Sequence, residues 1–172
     1  MNKRVLILDT SVLCCWLRVP GKDEAGPLED RWNFHRIDDL LKEEEAKGST
    51  FVLPMATLIE TGNHIAQAND NNRFQRAQAL AVYLRGTADE KSPWAAFTDQ
   101  SSLWQPDKLR ELADNWPALA AASISIGDAT IKDVAEYYAR ATYHVEILTG
   151  DAGLKAYQPI SRVLLPRRRG GK

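Results

Sequence analysis

The chain has little cysteine: two residues, Cys14 and Cys15, side by side. Adjacent thiols are a poor basis for a disulfide framework, and free thiols in a core fit a reducing compartment. A charge excess is also missing. Lys and Arg number 22 against 23 Asp and Glu, a formal net charge of −1. Bulk charge therefore gives no hint of a nucleic-acid partner, and any phosphate-binding surface has to be local. No uninterrupted apolar run approaches the length of a membrane span. Lys3, Arg4 and the apolar stretch to Leu17 imitate a secretory leader, but Asp9 and Arg18 interrupt it and no clean small-residue cleavage site follows. A cytoplasmic chain without a membrane segment is expected.

What is present is ordinary for a globular protein: 172 residues, 44% hydrophobic and 26% charged. One domain is expected over residues 1–165, followed by a basic, flexible tail over 166–172. Val5 to Leu8 predicts a buried strand, and Thr10 or Ser11 is placed to cap a helix over 12–17. Breakers mark 19–33 as a loop. Helices are predicted over 34–47, 56–68, 73–85, 106–116 and 127–142. In the third of these the expected inner stripe is Phe74, Ala77, Leu80, Ala81 and Leu84, with Gly86 closing the helix. Pro117 is expected to stop the fourth. Strands are predicted over 50–53 and 145–148, with a last one over Arg162–Leu165. Short apolar strands alternating with helices predict an α/β fold of three layers, α/β/α, around a central, mostly parallel twisted sheet.

Four carboxylates stand at element boundaries. Asp9 ends the strand VLIL, and Asp151 follows the strand VEIL through Thr149 and Gly150. In open parallel sheets ligands collect beyond the carboxyl ends of the strands, so both point toward one crevice. Asp128 opens a helix, and Glu60 lies near the start of the helix after the second strand. Gathered without a cation, four such acids repel and are driven to take up protons. Gathered around Mg²⁺ or Mn²⁺, which prefer carboxylate oxygen, they make sense. Each acid also has a plain structural role open to it: Asp128 as a helix cap, Asp151 as a turn residue, Glu60 as a solvated helix position.

These motifs resemble those of the PIN-domain nucleases. LILDTSVL matches the family's first motif, PMATLIETGNHI supplies its helical glutamate, GDATIKDVA its third acid and VEILTGDAGL its fourth. The order holds across residues 4–157. The resemblance implies a PIN-like fold and a metal-dependent endoribonuclease acting on single-stranded or structured RNA. Asp9, Glu60, Asp128 and Asp151 would be its catalytic, metal-holding acids, with Thr10, Ser11 and Thr149 in support. Many small members are VapC-like toxins paired with an antitoxin protein, and many relatives form homodimers. The chain is longer than compact toxins, through residues 19–33 and 87–117.

Other residues are weaker candidates. Asn63, Lys155 and Arg162 are possible substrate contacts. Asp133, five positions after Asp128, falls roughly 140° around the helix and is expected to face elsewhere. Two further functions compete. A haloacid-dehalogenase-type phosphatase also starts with a strand ending in Asp, but needs an Asp two positions on, where this chain has Ser11. An RNA-binding module without turnover is the other.

Overall fold

A computed structural model describes residues 4–160. The expected strand at 162–165, Arg162 and the tail at 166–172 lie outside the described residues. Strand β1 (Arg4–Leu8) is followed directly by helix α1 (Thr10–Trp16). A small hairpin comes next, with β2 (Glu24–Ala25) and β3 (Trp32–Asn33) paired antiparallel. Then follow α2 (Phe34–Ala46), β4 (Thr50–Val52), α3 (Met55–Gln67), α4 (Arg73–Ala88), α5 (Pro106–Ala121), α6 (Ile126–Arg140), β5 (His144–Leu148) and α7 (Ala152–Lys155). The central sheet has the order β4-β1-β5 and both pairings are parallel.

The α/β layering follows from strand alternation. Val5 and Ile7 face α6, where they pack with Ile131, Val134, Ala135 and Tyr138. Leu6 and Leu8 face the other way, onto Val12 and Cys15 of α1 and Ile37 and Leu41 of α2. Both faces of β1 are thus buried, which is why its sequence is continuously apolar. A third cluster joins α1 to α3 and α4 through Leu13, Cys14, Ile65 and Leu80. Gly48, at φ +78°, takes the left-handed turn that ends α2 before β4. Among the described residues no helix is long and apolar enough to cross a membrane.

Several expectations are corrected. Asp9 itself caps α1, accepting from Ser11 N at 3.3 Å, so neither Thr10 nor Ser11 is the cap. The 19–33 segment is not a plain loop: it carries the hairpin and a 3-10 turn at Leu28–Asp30. Gly86 lies inside α4, which runs on to Ala88, and the Trp94 indole fills the space where a Cβ would stand, 2.6 Å from it. The inner side of α4 is Ala79, Leu80 and Tyr83, while Phe74 is 69% exposed. Tyr83 stacks on Trp16 at 4.7 Å, and that aromatic contact sets the rotation of the helix. Pro117 lies within α5, which runs on to Ala121. Segment 87–105 adds a parallel bridge from Trp94 to Phe51, extending the sheet beyond β4.

Candidate active site

The carboxyl ends of β1 and β5 lie side by side, with Leu8 opposite Leu148. Asp9 and Thr149 therefore emerge together. Asp9 is only 5% exposed. Its Oδ2 accepts from Ser11 Oγ at 2.6 Å, Thr149 Oγ1 at 2.8 Å and Ser11 N. Each hydroxyl has one proton, and each gives it to Asp9. Their lone pairs in turn accept from the β5–α7 turn: Gly150 N reaches Ser11 Oγ at 2.9 Å, and Asp151 N reaches Thr149 Oγ1 at 2.9 Å. Oδ1 of Asp9 receives no such bond from the described residues. Burial raises the Asp9 carboxyl above the usual aspartate range, and the Ser11 and Thr149 bonds only partly oppose this.

Thr10 turns the other way and donates to Glu60 Oε2 at 2.8 Å. The remaining oxygen of Glu60 lies against Gly127, where a Cβ would collide with it. Glu60 thus reaches the first turn of α6, whose dipole favours negative charge. Burial pushes the Cys14 thiol up to about 11, and the neighbouring charges of Asp9 and Glu60 add to that push.

Asp128 sits at the third position of α6, one residue beyond Gly127. Its Oδ2 accepts from Ser125 Oγ at 2.7 Å and from Ser125 N, while Asp128 N donates back to Ser125 Oγ. This is a capping box with Ser125 as the cap, so α6 starts at Ile126 and not at the Gly127–Asp128 pair. Asp151 is exposed and caps α7, accepting from Leu154 N at 3.0 Å. Asp9, Asp128 and Asp151 stand at starts of helices, and Glu60, in the second turn of α3, reaches the start of α6. Thr10, Ser11, Thr149 and Gly127 link Asp9 with Glu60, the β5–α7 turn and α6.

The donor types suit a hard divalent cation. Among the described residues none of the four carboxylates has a Lys, Arg or His nitrogen within 4 Å. In the same residues no three His, Cys, Asp or Glu side chains draw together into a group able to hold a metal ion. Asp128 and Asp151 are each turned onto their own helix start.

The other candidates are scattered. Asn63 is exposed on α3 and makes no side-chain bond to the acids. Lys155 Nζ is tied to Ile147 O at 3.0 Å, with Glu146 3.6 Å away. Asp133 faces α5, beside Leu103 and Leu112, as its helical angle predicted.

Four positioning residues escaped the sequence. Thr57 Oγ1 donates to Leu8 O at 2.8 Å and pins the end of β1. Trp32 Nε1 donates to Thr149 O at 3.0 Å, which docks the hairpin on the β5–α7 turn. At that contact Gly150 has no room for a Cβ, since Gly26 N would be 2.5 Å away. Gly127 is the fourth. A small residue on either flank of an acid is the only sequence signal for the two glycines.

No family model matches the chain, and no curated protein or solved structure is found to be similar to it.

Proposed function

We propose that this chain is a metal-dependent endoribonuclease of PIN type, hydrolysing RNA phosphodiester bonds with Mg²⁺ or Mn²⁺. One observation carries the proposal: Asp9, nearly buried at the end of the central strand, is held by hydroxyls and amides, with no cationic side chain against it among the described residues. An ionised carboxylate in such a place calls for a positive partner, and a divalent cation would supply one. Asp9, Glu60, Asp128 and Asp151 would hold the ion. Bound there, a divalent cation would polarise the phosphoryl group and offset the charge that develops as the bond is hydrolysed.

The chain's own contribution is placement. Ser11 and Thr149 fix one oxygen of Asp9 and leave the other available. Thr10 fixes one oxygen of Glu60, and Gly127 gives the other room beside α6. The motif match to PIN nucleases supports the same reading. A toxin role with an antitoxin partner, and a homodimer, belong to this proposal through that resemblance alone.

The test is cleavage of a mixed RNA pool by purified protein, mapped by sequencing the new ends. Cleavage in Mn²⁺ that stops in excess chelator and in Asp9→Asn is expected. Undiminished cleavage in chelator, or by Asp9→Asn, overturns the proposal.

A further inference from the structure

Trp32 stands on β3 of the small hairpin and is 5% exposed. It shares one apolar cluster with Leu6, Leu8, Ile37 and Leu148. The Arg36 guanidinium covers its ring at 3.9 Å and is itself held by Arg31 O at 2.9 Å and Asp30 Oδ1 at 2.6 Å. Any large apolar ring would serve that packing. The indole adds one N–H donor, and that donor goes to Thr149 O at 3.0 Å.

The choice of acceptor matters. Thr149 O and Gly150 N belong to one planar trans peptide, so its C=O and its N–H point in opposite directions. Trp32 holds the oxygen side. The N–H side reaches Ser11 Oγ at 2.9 Å. With that lone pair engaged, Ser11 turns its single proton to Asp9 Oδ2 at 2.6 Å. The second hydroxyl on Oδ2 is that of Thr149, the residue whose carbonyl Trp32 grips.

This peptide needs a restraint. A glycine after it lets the unit rotate with little steric cost. Glycine is required there because the hairpin comes so close: a Cβ on Gly150 would stand 2.5 Å from Gly26 N. The hairpin thus imposes the loose residue and, through Trp32, removes the looseness. Rotation of the peptide would take Gly150 N off Ser11 and free the serine proton to leave Asp9.

We infer that Trp32 is a positioning residue for Asp9: its indole N–H fixes the Thr149–Gly150 peptide, which keeps the Ser11 proton on Oδ2 and Oδ1 open to the ion. The inference rests on the metal-dependent nuclease reading for the ion alone, and its first readout needs no metal. Trp32→Phe deletes the donor and keeps a ring. Benzothienylalanine in place of Trp32, with sulfur where the indole has N–H, keeps the full shape should the phenylalanine variant not fold. Ile37→Val, in the same cluster, is the packing control.

In metal-free full-length protein the Asp9 carboxyl carbon resonance, identified by its loss in Asp9→Asn, should move in either Trp32 variant and stay in Ile37→Val. In a Ser11→Ala background the Trp32 displacement should shrink to about half or less. Titrated with Mn²⁺, the Trp32 variants should bind about fivefold to tenfold more weakly than wild type, the worth of one hydrogen bond. Ile37→Val should bind as wild type.

An unmoved resonance in the Trp32 variants overturns the inference. So does an equal displacement in Ile37→Val, an undiminished one in the Ser11→Ala background, or Mn²⁺ affinity equal to that of a wild type that binds. If wild type binds no Mn²⁺ but the resonance moves as stated, the metal reading fails and the positioning role stands. If wild type binds Mn²⁺ and the resonance does not move, the positioning role alone fails.

Discussion

Glu44 and Asp9 are both buried carboxylates, and they serve opposite ends of β1. Glu44, on α2, is 1% exposed and meets Arg4, the first residue of β1, at 2.7 Å. Lys47 at 3.2 Å and Ser49 Oγ at 2.6 Å complete its shell. Burial alone would raise its carboxyl, but Ser49, Lys47 and Arg4 together outweigh that and hold it below the usual range. Asp9 has hydroxyls and amides but no cation among the described residues, and its carboxyl is held above the usual range. The amino edge of the sheet neutralises its acid with the chain's own charges. Among the described residues, the carboxyl edge gives its acid no such charge.

The largest expected effect is on activity. Asp9→Asn should keep the fold and lower RNA cleavage by about 10²-fold or more; Glu44→Gln should leave cleavage per folded molecule unchanged. Loss of cleavage in both, at equal folded fraction, would erase the contrast.

On stability the order reverses. Arg4→Met leaves Glu44 buried with less compensation and should cost about 2–3 kcal/mol by urea unfolding, since solvent around Arg4 softens the loss. Asp9→Asn in chelator should raise the urea midpoint at neutral pH, because it removes a desolvated charge.

The pH dependence sharpens the same point. The Glu44 carboxyl is depressed, so its contribution is present above the unfolded glutamate value, about 4.3, and lost as pH falls through its folded value. The Asp9 carboxyl is raised, so its contribution is present below the unfolded aspartate value, about 3.9, and lost as pH rises through its folded value. Between acid and neutral pH, wild type should gain on Glu44→Gln and lose ground to Asp9→Asn. Parallel midpoint curves for the two variants would contradict the assigned directions.

The smallest effect is expected at Ser125. Ser125→Ala removes the α6 cap and should cost about 1 kcal/mol. It also frees Asp128, so divalent-ion affinity should hold or rise. A fall in affinity would mean that the capping box positions Asp128 for the ion.

Much of this was legible in the sequence because the signals are local. VLIL followed by Asp9 predicts a buried strand with a carboxylate at its end, and Ile131, Val134, Ala135 and Tyr138 predict the buried face of α6. Asp9, Thr149 and the β5–α7 turn meet because both strands are parallel neighbours. The rest depends on distant partners. Glu44 finds Arg4 forty residues away, with nothing in either segment to announce it. The hairpin has strands of two residues and is held by Trp32 reaching Thr149, so local pattern reads it as loop. Helix α4 has apolar residues all round, and its rotation was settled by Tyr83 stacking on Trp16. Asp128 was legible as an acid at a helix start, but its turn onto Ser125 depends on where that helix begins.

The central claim is that the carboxyl edge is left charged for a divalent ion. Calorimetric titration of metal-free protein with Mn²⁺ at neutral pH tests it directly. Saturable binding by wild type and by Glu44→Gln, lost in Asp9→Asn, is the predicted result. No binding by wild type, or equal binding by Asp9→Asn, would contradict it.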